Sequence, residues 1–147
     1  MDYGRLLSAC EELAQLHRNR QRHFLAEDGL YIGQPAMLEY IRSHPGCTQK
    51  DMADEAHVTA ASIAVSFKRL ENAGFIYRRA DTSDTRCNRV YITEAGERAL
   101  NSCALHFQSL NDRMLDGISD EEAIILQKCV ERMLYNMQIR PETEIEK

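Results

Sequence analysis

The chain has 147 residues, 44% of them hydrophobic, which suits a single domain with a real core. No apolar run approaches the roughly 18 residues that span a bilayer. The N-terminus carries Asp2, Glu11 and Glu12 where a signal segment would be apolar, so a cytoplasmic location and no membrane partner are expected. The net charge of −5 argues at first against nucleic acid, and only its distribution along the chain argues back.

Taken in chain order, residues from Asp2 to about Phe24 have the spacing of one long helix. Leu6, Leu7, Cys10, Leu13, Ala14 and His17 share a face, Asp2 caps the start, and the three arginines of HRNRQRH close the C-terminal end, where cations complement the helix dipole. GLYIGQP breaks the pattern, and Pro35 opens a second helix carrying Met37, Leu38 and Ile41. Thr48 with Asp51 forms an acidic capping box for a short third helix, about Gln49 to Ala56, packed through Met52, Ala53 and Ala56. His57 and Val58 make a turn. Thr59 caps a fourth helix with Ile63, Phe67 and Leu70 facing inward, and Gly74 stops it. FIYRR and RVYIT alternate as two antiparallel strands, with Ala80 to Asn88 between them as a wing. Thr93 and Glu94 restart a helix whose stripe is Leu100, Cys103, Phe107, Leu110 and Met114. After Gly117, Ser119 and Glu122 cap a last helix with Ile125, Leu126, Cys129, Val130, Met133, Leu134 and Met137.

A bracing helix, a helix able to lie in a groove and a basic ribbon make a mainly α (α+β) winged helix-turn-helix with a two-stranded wing. From His57 to Ile92 the balance of six basic and three acidic residues is +3, leaving −5 − 3 = −8 for the remainder. Positive charge thus gathers where a DNA-reading surface would be. The terminal helices carry more apolar surface than a monomer covers easily. They form either an intramolecular bundle or, as paired reading heads favour, a two-fold homodimer interface through Leu6, Leu13, Leu126, Met133 and Met137. No glycine-rich phosphate loop, nucleophile elbow or metal-ligand set is present, so neither an enzyme nor a cofactor or metal is expected.

Four motifs in register make the chain resemble the MarR family of bacterial transcriptional regulators over almost its whole length. They are the Gln34 entry to the second helix with Leu38 and Ile41, the segment Thr48–Ile76 ending in KRLExxGxI, the wing pattern Asp81–x–x–Asp84–x–Arg86, and ITEAG from Ile92 to Gly96. The resemblance implies one domain over 1–147, with dimerisation helices at 2–32 and 94–147 and a winged-helix lobe at 33–93. It also implies a dimeric, ligand-responsive repressor that binds double-stranded DNA at a near-palindromic operator. Departures stand at Ser83, Thr85 and Val65, where relatives often carry a charged or basic residue.

The residues assigned to DNA are Thr48, Thr59, Ala60, Ala61, Ser62, Val65, Ser66, Lys68, Arg69, Arg79, Asp84, Arg86 and Arg89. The reading face of the fourth helix, Thr59 to Ser66, is poor in long polar side chains, so bidentate guanine recognition by Arg is not available from it. What remains is thymine-methyl contact by Ala or Val, phosphate anchoring by Thr59, Ser66, Lys68 and Arg69, and Arg86 in a narrow minor groove, held by Asp84. Those contacts suit an A·T-rich operator. Arg69 could instead pair with Glu71 or Glu55. The family's small aromatic or phenolic effectors imply a cleft lined here by His17, Arg20, Phe24, Tyr31, Met37 and Tyr40. Cys10 is the one candidate for redox sensing, disfavoured by Glu11 and Glu12 beside it; Cys103 and Cys129 read as packing residues. The bare reading face also admits another class, a winged-helix protein–protein adaptor without DNA readout.

Overall fold

The computed structural model describes residues 2–82 and 87–139, without the side chains of Ala60 and Ile139. The chain forms two compact units, Met1–Leu110 and Asn111–Lys147.

The first unit opens with α1 (Tyr3–Glu27), capped by the Asp2 carboxylate, which accepts the Arg5 amide at 3.1 Å. The helix runs past Phe24, and its last turn holds no basic residue, so the arginines do not close it as expected. Its end is set by a backbone lock: the amides of Gly29 and Leu30 donate to the carbonyls of Ala26 (3.2 Å) and Leu25 (2.7 Å). Leu25, in that last turn, is the buried residue of α1, while Leu6, Leu7, Leu13 and Leu16 remain about half exposed. The expected burial of Cys10 on an apolar face fails for the single chain, where it is exposed.

In α2 (Gln34–Ser43) the Gln34 side chain is buried and accepts the Tyr31 amide at 2.8 Å. A buried amide oxygen without such a partner would cost about 1–3 kcal/mol. For α3 (Gln49–Ala56) the capping box is complete: Thr48 Oγ1 accepts the Asp51 amide, and the Asp51 carboxylate accepts the Thr48 amide at 2.8 Å. Met52 and Ala53 are buried, but Ala56 is exposed. The helix has already turned away there, into His57 at φ 51°, a left-handed conformation that costs a side chain energy. In α4 (Ala60–Asn72) Ile63, Phe67 and Leu70 point inward as their spacing predicts, at 4%, 0% and 0% exposure.

Gly74, at φ 75°, ends α4 with the amides of Gly74 and Phe75 on the carbonyls of Glu71 and Leu70. The chain reverses there into β1 (Ile76–Ala80), which pairs antiparallel with β2 (Asn88–Ile92), Ile76 opposite Ile92 and Arg79 opposite Arg89. The other edge of β2 carries a bridge not foreseen from the sequence: the Gly46 amide donates to Val90, and the Val90 amide to Cys47.

Thr93 starts α5 (Glu94–Met114). Its hydroxyl donates to the Gly74 carbonyl at 2.6 Å and accepts the Gly96 amide at 3.0 Å. Gly96 lies so close to β1 that an added Cβ would stand 2.2 Å from the Phe75 carbonyl oxygen. The core that results joins Leu25, Leu38, Ile41, Phe67, Leu70, Val90, Leu100 and Cys103.

In the second unit, Ser119 and Glu122 form the expected box, the Glu122 carboxylate accepting the Ser119 amide at 2.9 Å, ahead of α6 (Asp120–Ile139). Leu126, Val130, Met133, Leu134 and Met137 are all 40% or more exposed. Cys129, expected to pack, is exposed as well.

Candidate nucleic-acid interface

The outward side of α4 follows from its inward side. With Ile63, Phe67 and Leu70 buried, helical geometry turns Ala61, Ser62, Val65 and Lys68 away from the core, and all four are exposed; Val65 is 53% exposed. Ser66 is half-buried. The side chain of Ala60, and Asp84 and Arg86 of the wing pattern, lie outside the described residues.

The two threonines assigned to DNA also have local duties. Thr48 Oγ1 donates to Asp51 at 2.8 Å, and Thr59 Oγ1 accepts the Ser62 amide at 3.3 Å while meeting the Ser62 hydroxyl at 3.0 Å. Bonds from the Thr48 amide and hydroxyl hold the Asp51 carboxyl below the usual carboxylate range.

The strand and helix arginines divide by partner. Arg69 pairs with neither Glu71 nor Glu55; its guanidinium lies 5.0 Å over the Tyr31 ring, because Glu71 is taken by Arg78 at 3.1 Å. Arg78 also lies 6.0 Å over Phe67, so it secures β1 to α4. Arg89 donates through Nε to Asp81 at 2.6 Å and through Nη1 to the Gly46 carbonyl at 3.2 Å. The bond from Asp81, and then its charge, raise the Arg89 pKa. Arg79 is exposed, with its guanidinium 5.9 Å from the Tyr91 ring, and among the described residues no carboxylate pairs with it. A cleft of about 400 Å³ lies at this wing root, lined by Arg79, Asp81, Arg89, Tyr91 and the Pro45–Gly46 turn among others.

The residues assigned to an effector are not gathered into one cavity. Met37 is in the core, and Tyr40 stacks on His44 with ring centroids 4.3 Å apart. Phe24 stacks on His106 at 5.0 Å. Tyr31, 59% exposed, does line a cavity of about 520 Å³, with Arg22, Leu25, Ala26, Leu30 and Ile32, and Arg22 occupies the place considered for Arg20. Sequence reading missed the neighbouring Asp28, whose carboxylate accepts from Ser102 at 2.7 Å and meets His106 Nδ1 at 3.1 Å. Those partners lie 74 and 78 residues away, beyond any local signal. Among the described residues no group of three or more His, Cys, Asp or Glu could hold a metal ion. No described helix is long and apolar enough to cross a membrane.

Fold and site therefore define a winged helix-turn-helix protein, and comparison with known proteins narrows the class. The MarR family model matches residues 30–88. The transcriptional regulator HosA of Escherichia coli O127:H6 is 30% identical over 123 residues, covering 84% of this chain and 90% of HosA. The crystal structure of MarR matches with a TM-score of 0.66 at 25% identity, covering 90% of each chain. A mutant of Staphylococcus aureus MepR bound to an oligodeoxyribonucleotide shares the fold, with a TM-score of 0.68 at 22% identity over 93% of this chain and 99% of that one. This chain belongs to the MarR family of transcriptional regulators.

Proposed function

We propose that this protein is a cytoplasmic, homodimeric DNA-binding repressor of the MarR family that recognises a near-palindromic, A·T-rich operator. The observation that carries this reading is the α4 face. Ala61, Ser62, Val65 and Lys68 stand outward on a helix whose other side is locked into the core, and Arg79, which has no carboxylate partner among the described residues, lies on the wing strand that follows. Methyl groups at Ala61 and Val65 suit thymine C5-methyls in the major groove, while Lys68, Arg69, Arg79 and the hydroxyls of Thr48, Thr59, Ser62 and Ser66 suit phosphates. The wing motif, by its resemblance to the family's, assigns Arg86 to the minor groove.

Two reading heads need a two-fold partner. The half-exposed leucines of α1 supply surface for one, and so do the exposed apolar residues of α6; residues 2–32 and 94–147 are the dimerisation segments and 33–93 the reading lobe. A small aromatic or phenolic acid is the effector class, taken up in the cavity beside Tyr31 and Arg22. It acts by changing the spacing of the two heads.

The test is fluorescence anisotropy of the purified protein on duplex DNA from upstream of its own gene and on a scrambled duplex, across a salt series. Selective binding that weakens with salt and collapses in Arg86→Ala is the expected result. Equal, feeble binding to both duplexes would instead support the adaptor reading, which the short side chains at the exposed Ala61, Ser62 and Val65 favour.

A further inference from the structure

We infer that Arg89 is a positioning residue of the wing and not a DNA contact, and that Arg79, its partner in the strand register, is the strand cation that meets a backbone phosphate. The inference rests on the DNA-binding reading above and divides its cationic surface into two roles.

The geometry separates two arginines that the sequence treats alike. They stand directly opposite each other on β1 and β2. Like charges facing across a strand pair repel, so one of them gains by being neutralised. Arg89 is that one. Its Nε reaches Asp81 at 2.6 Å, and Asp81 is tied to the other arm of the wing by its amide on the Cys87 carbonyl at 3.0 Å. Its Nη1 reaches the Gly46 carbonyl at 3.2 Å.

That second bond is the consequential one. Gly46 belongs to the turn between α2 and α3, and it bonds the same strand through its amide on Val90 at 2.9 Å. A Cβ at Gly46 would stand 3.1 Å from the Tyr91 hydroxyl, so turn and wing are in close contact there. One guanidinium thus spans the wing root and the turn that leads into α3, setting the wing's angle to the helix-turn-helix. With its charge matched by Asp81, Arg89 offers a phosphate little net attraction. Arg79 keeps its charge, lies across the Tyr91 ring at 5.9 Å and lines the open cleft beside the turn. Asp81 lines the same cleft, with its charge taken up by Arg89, so the cation left to meet a DNA backbone phosphate there is Arg79.

The full-length protein and a fluorescein-labelled duplex from upstream of its own gene test this, with log affinity followed against log salt. Each phosphate contact contributes a slope of about 0.9 on B-DNA. Arg79→Ala is expected to make the slope shallower by about one without moving the thermal midpoint. Arg89→Gln is expected to lower affinity on the order of fivefold, as loss of an exposed ion pair does, with the slope unchanged.

Asp81→Asn separates the two ideas even if Arg89→Gln folds poorly. Removing a carboxylate near DNA strengthens binding if charge alone matters, whereas loss of the Arg89 anchor weakens it. Weaker binding by Asp81→Asn with an unchanged slope supports the inference. Tighter binding, or a shallower slope in Arg89→Gln with none in Arg79→Ala, overturns it while leaving the regulator reading intact. A wild-type protein with no salt-dependent, selective binding overturns both.

Discussion

Substituting Gly96 by alanine sets two physical effects against each other. Gly96 is the third residue of α5, and helix propensity alone makes Gly→Ala favourable by about 1 kcal/mol. The packing argues the other way. The new Cβ would lie 2.2 Å from the Phe75 carbonyl oxygen, 3.0 Å from its carbon and 2.8 Å from Ile92 Cγ1. Contact between such atoms normally begins near 3.4 Å, so the overlap with the oxygen is about an ångström. Rotating a side chain does not relieve it. The Phe75 carbonyl is backbone and already accepts the Thr93 amide at 2.9 Å, so α5 itself must back away. That shift lifts Ala99, Leu100 and Cys103 from the core they help to close.

Overpacking of this kind costs about 3 kcal/mol, the upper part of the usual range, because the neighbour is rigid. The net destabilisation is then about 2 kcal/mol, which for a domain of this size lowers the thermal midpoint by roughly 4–8 °C. The assay is thermal unfolding followed by circular dichroism, with urea unfolding at 25 °C as a second measure. An unchanged or raised midpoint would show that α5 adapts without strain, and that Gly96 is not there for close approach.

Three further outcomes follow from the same contacts. Val65→Asp, at an exposed position of α4, is expected to leave the thermal midpoint within about 1 °C and to weaken operator binding more than tenfold, read by anisotropy, since a carboxylate there meets the phosphate field. Leu126→Glu on the exposed face of α6 is expected to convert a dimer to a monomer at micromolar concentration in sedimentation velocity; an unchanged sedimentation coefficient would remove Leu126 from the interface. Thr48→Ala removes the cap of α3 and is expected to cost about 1 kcal/mol in urea unfolding at neutral pH. The Asp51 pKa is lowered first by the Thr48 amide, which the variant keeps, and then by the Thr48 hydroxyl, which it loses. The hydroxyl's share of the stabilisation is therefore present above the unfolded value near 3.9 and is lost as pH falls through the lower folded value. The gap between wild type and variant should therefore narrow in acid below about pH 4, and a gap constant from pH 7 to pH 2 would rule this account out.

Features that depend on local chemistry were legible in the chain before any fold was known. Capping residues at Asp2, Thr48, Thr59 and Ser119 placed helix starts, because a side-chain oxygen acts within three residues of itself. Spacing along α4 set which residues face inward, and so the whole outward face, including Val65. Four motifs in register named the family.

Residues that look equivalent in a string take different roles only once the chain is folded. Arg78, Arg79 and Arg89 are alike in the sequence, yet one is held by Glu71, one is bound to Asp81 and Gly46, and one carries no carboxylate partner among the described residues. The same holds for Arg69, which left its sequence neighbour Glu71 for the ring of Tyr31, 38 positions away (69 − 31), and for Asp28, whose partners sit on α5. The end of α1 is likewise set by a backbone lock at Gly29 and not by the arginine cluster before it. The physical reason is one of range. Caps and periodicity act over a turn or two of chain, whereas a charge pairs with whichever opposite charge, ring or carbonyl the finished fold brings within a few ångströms.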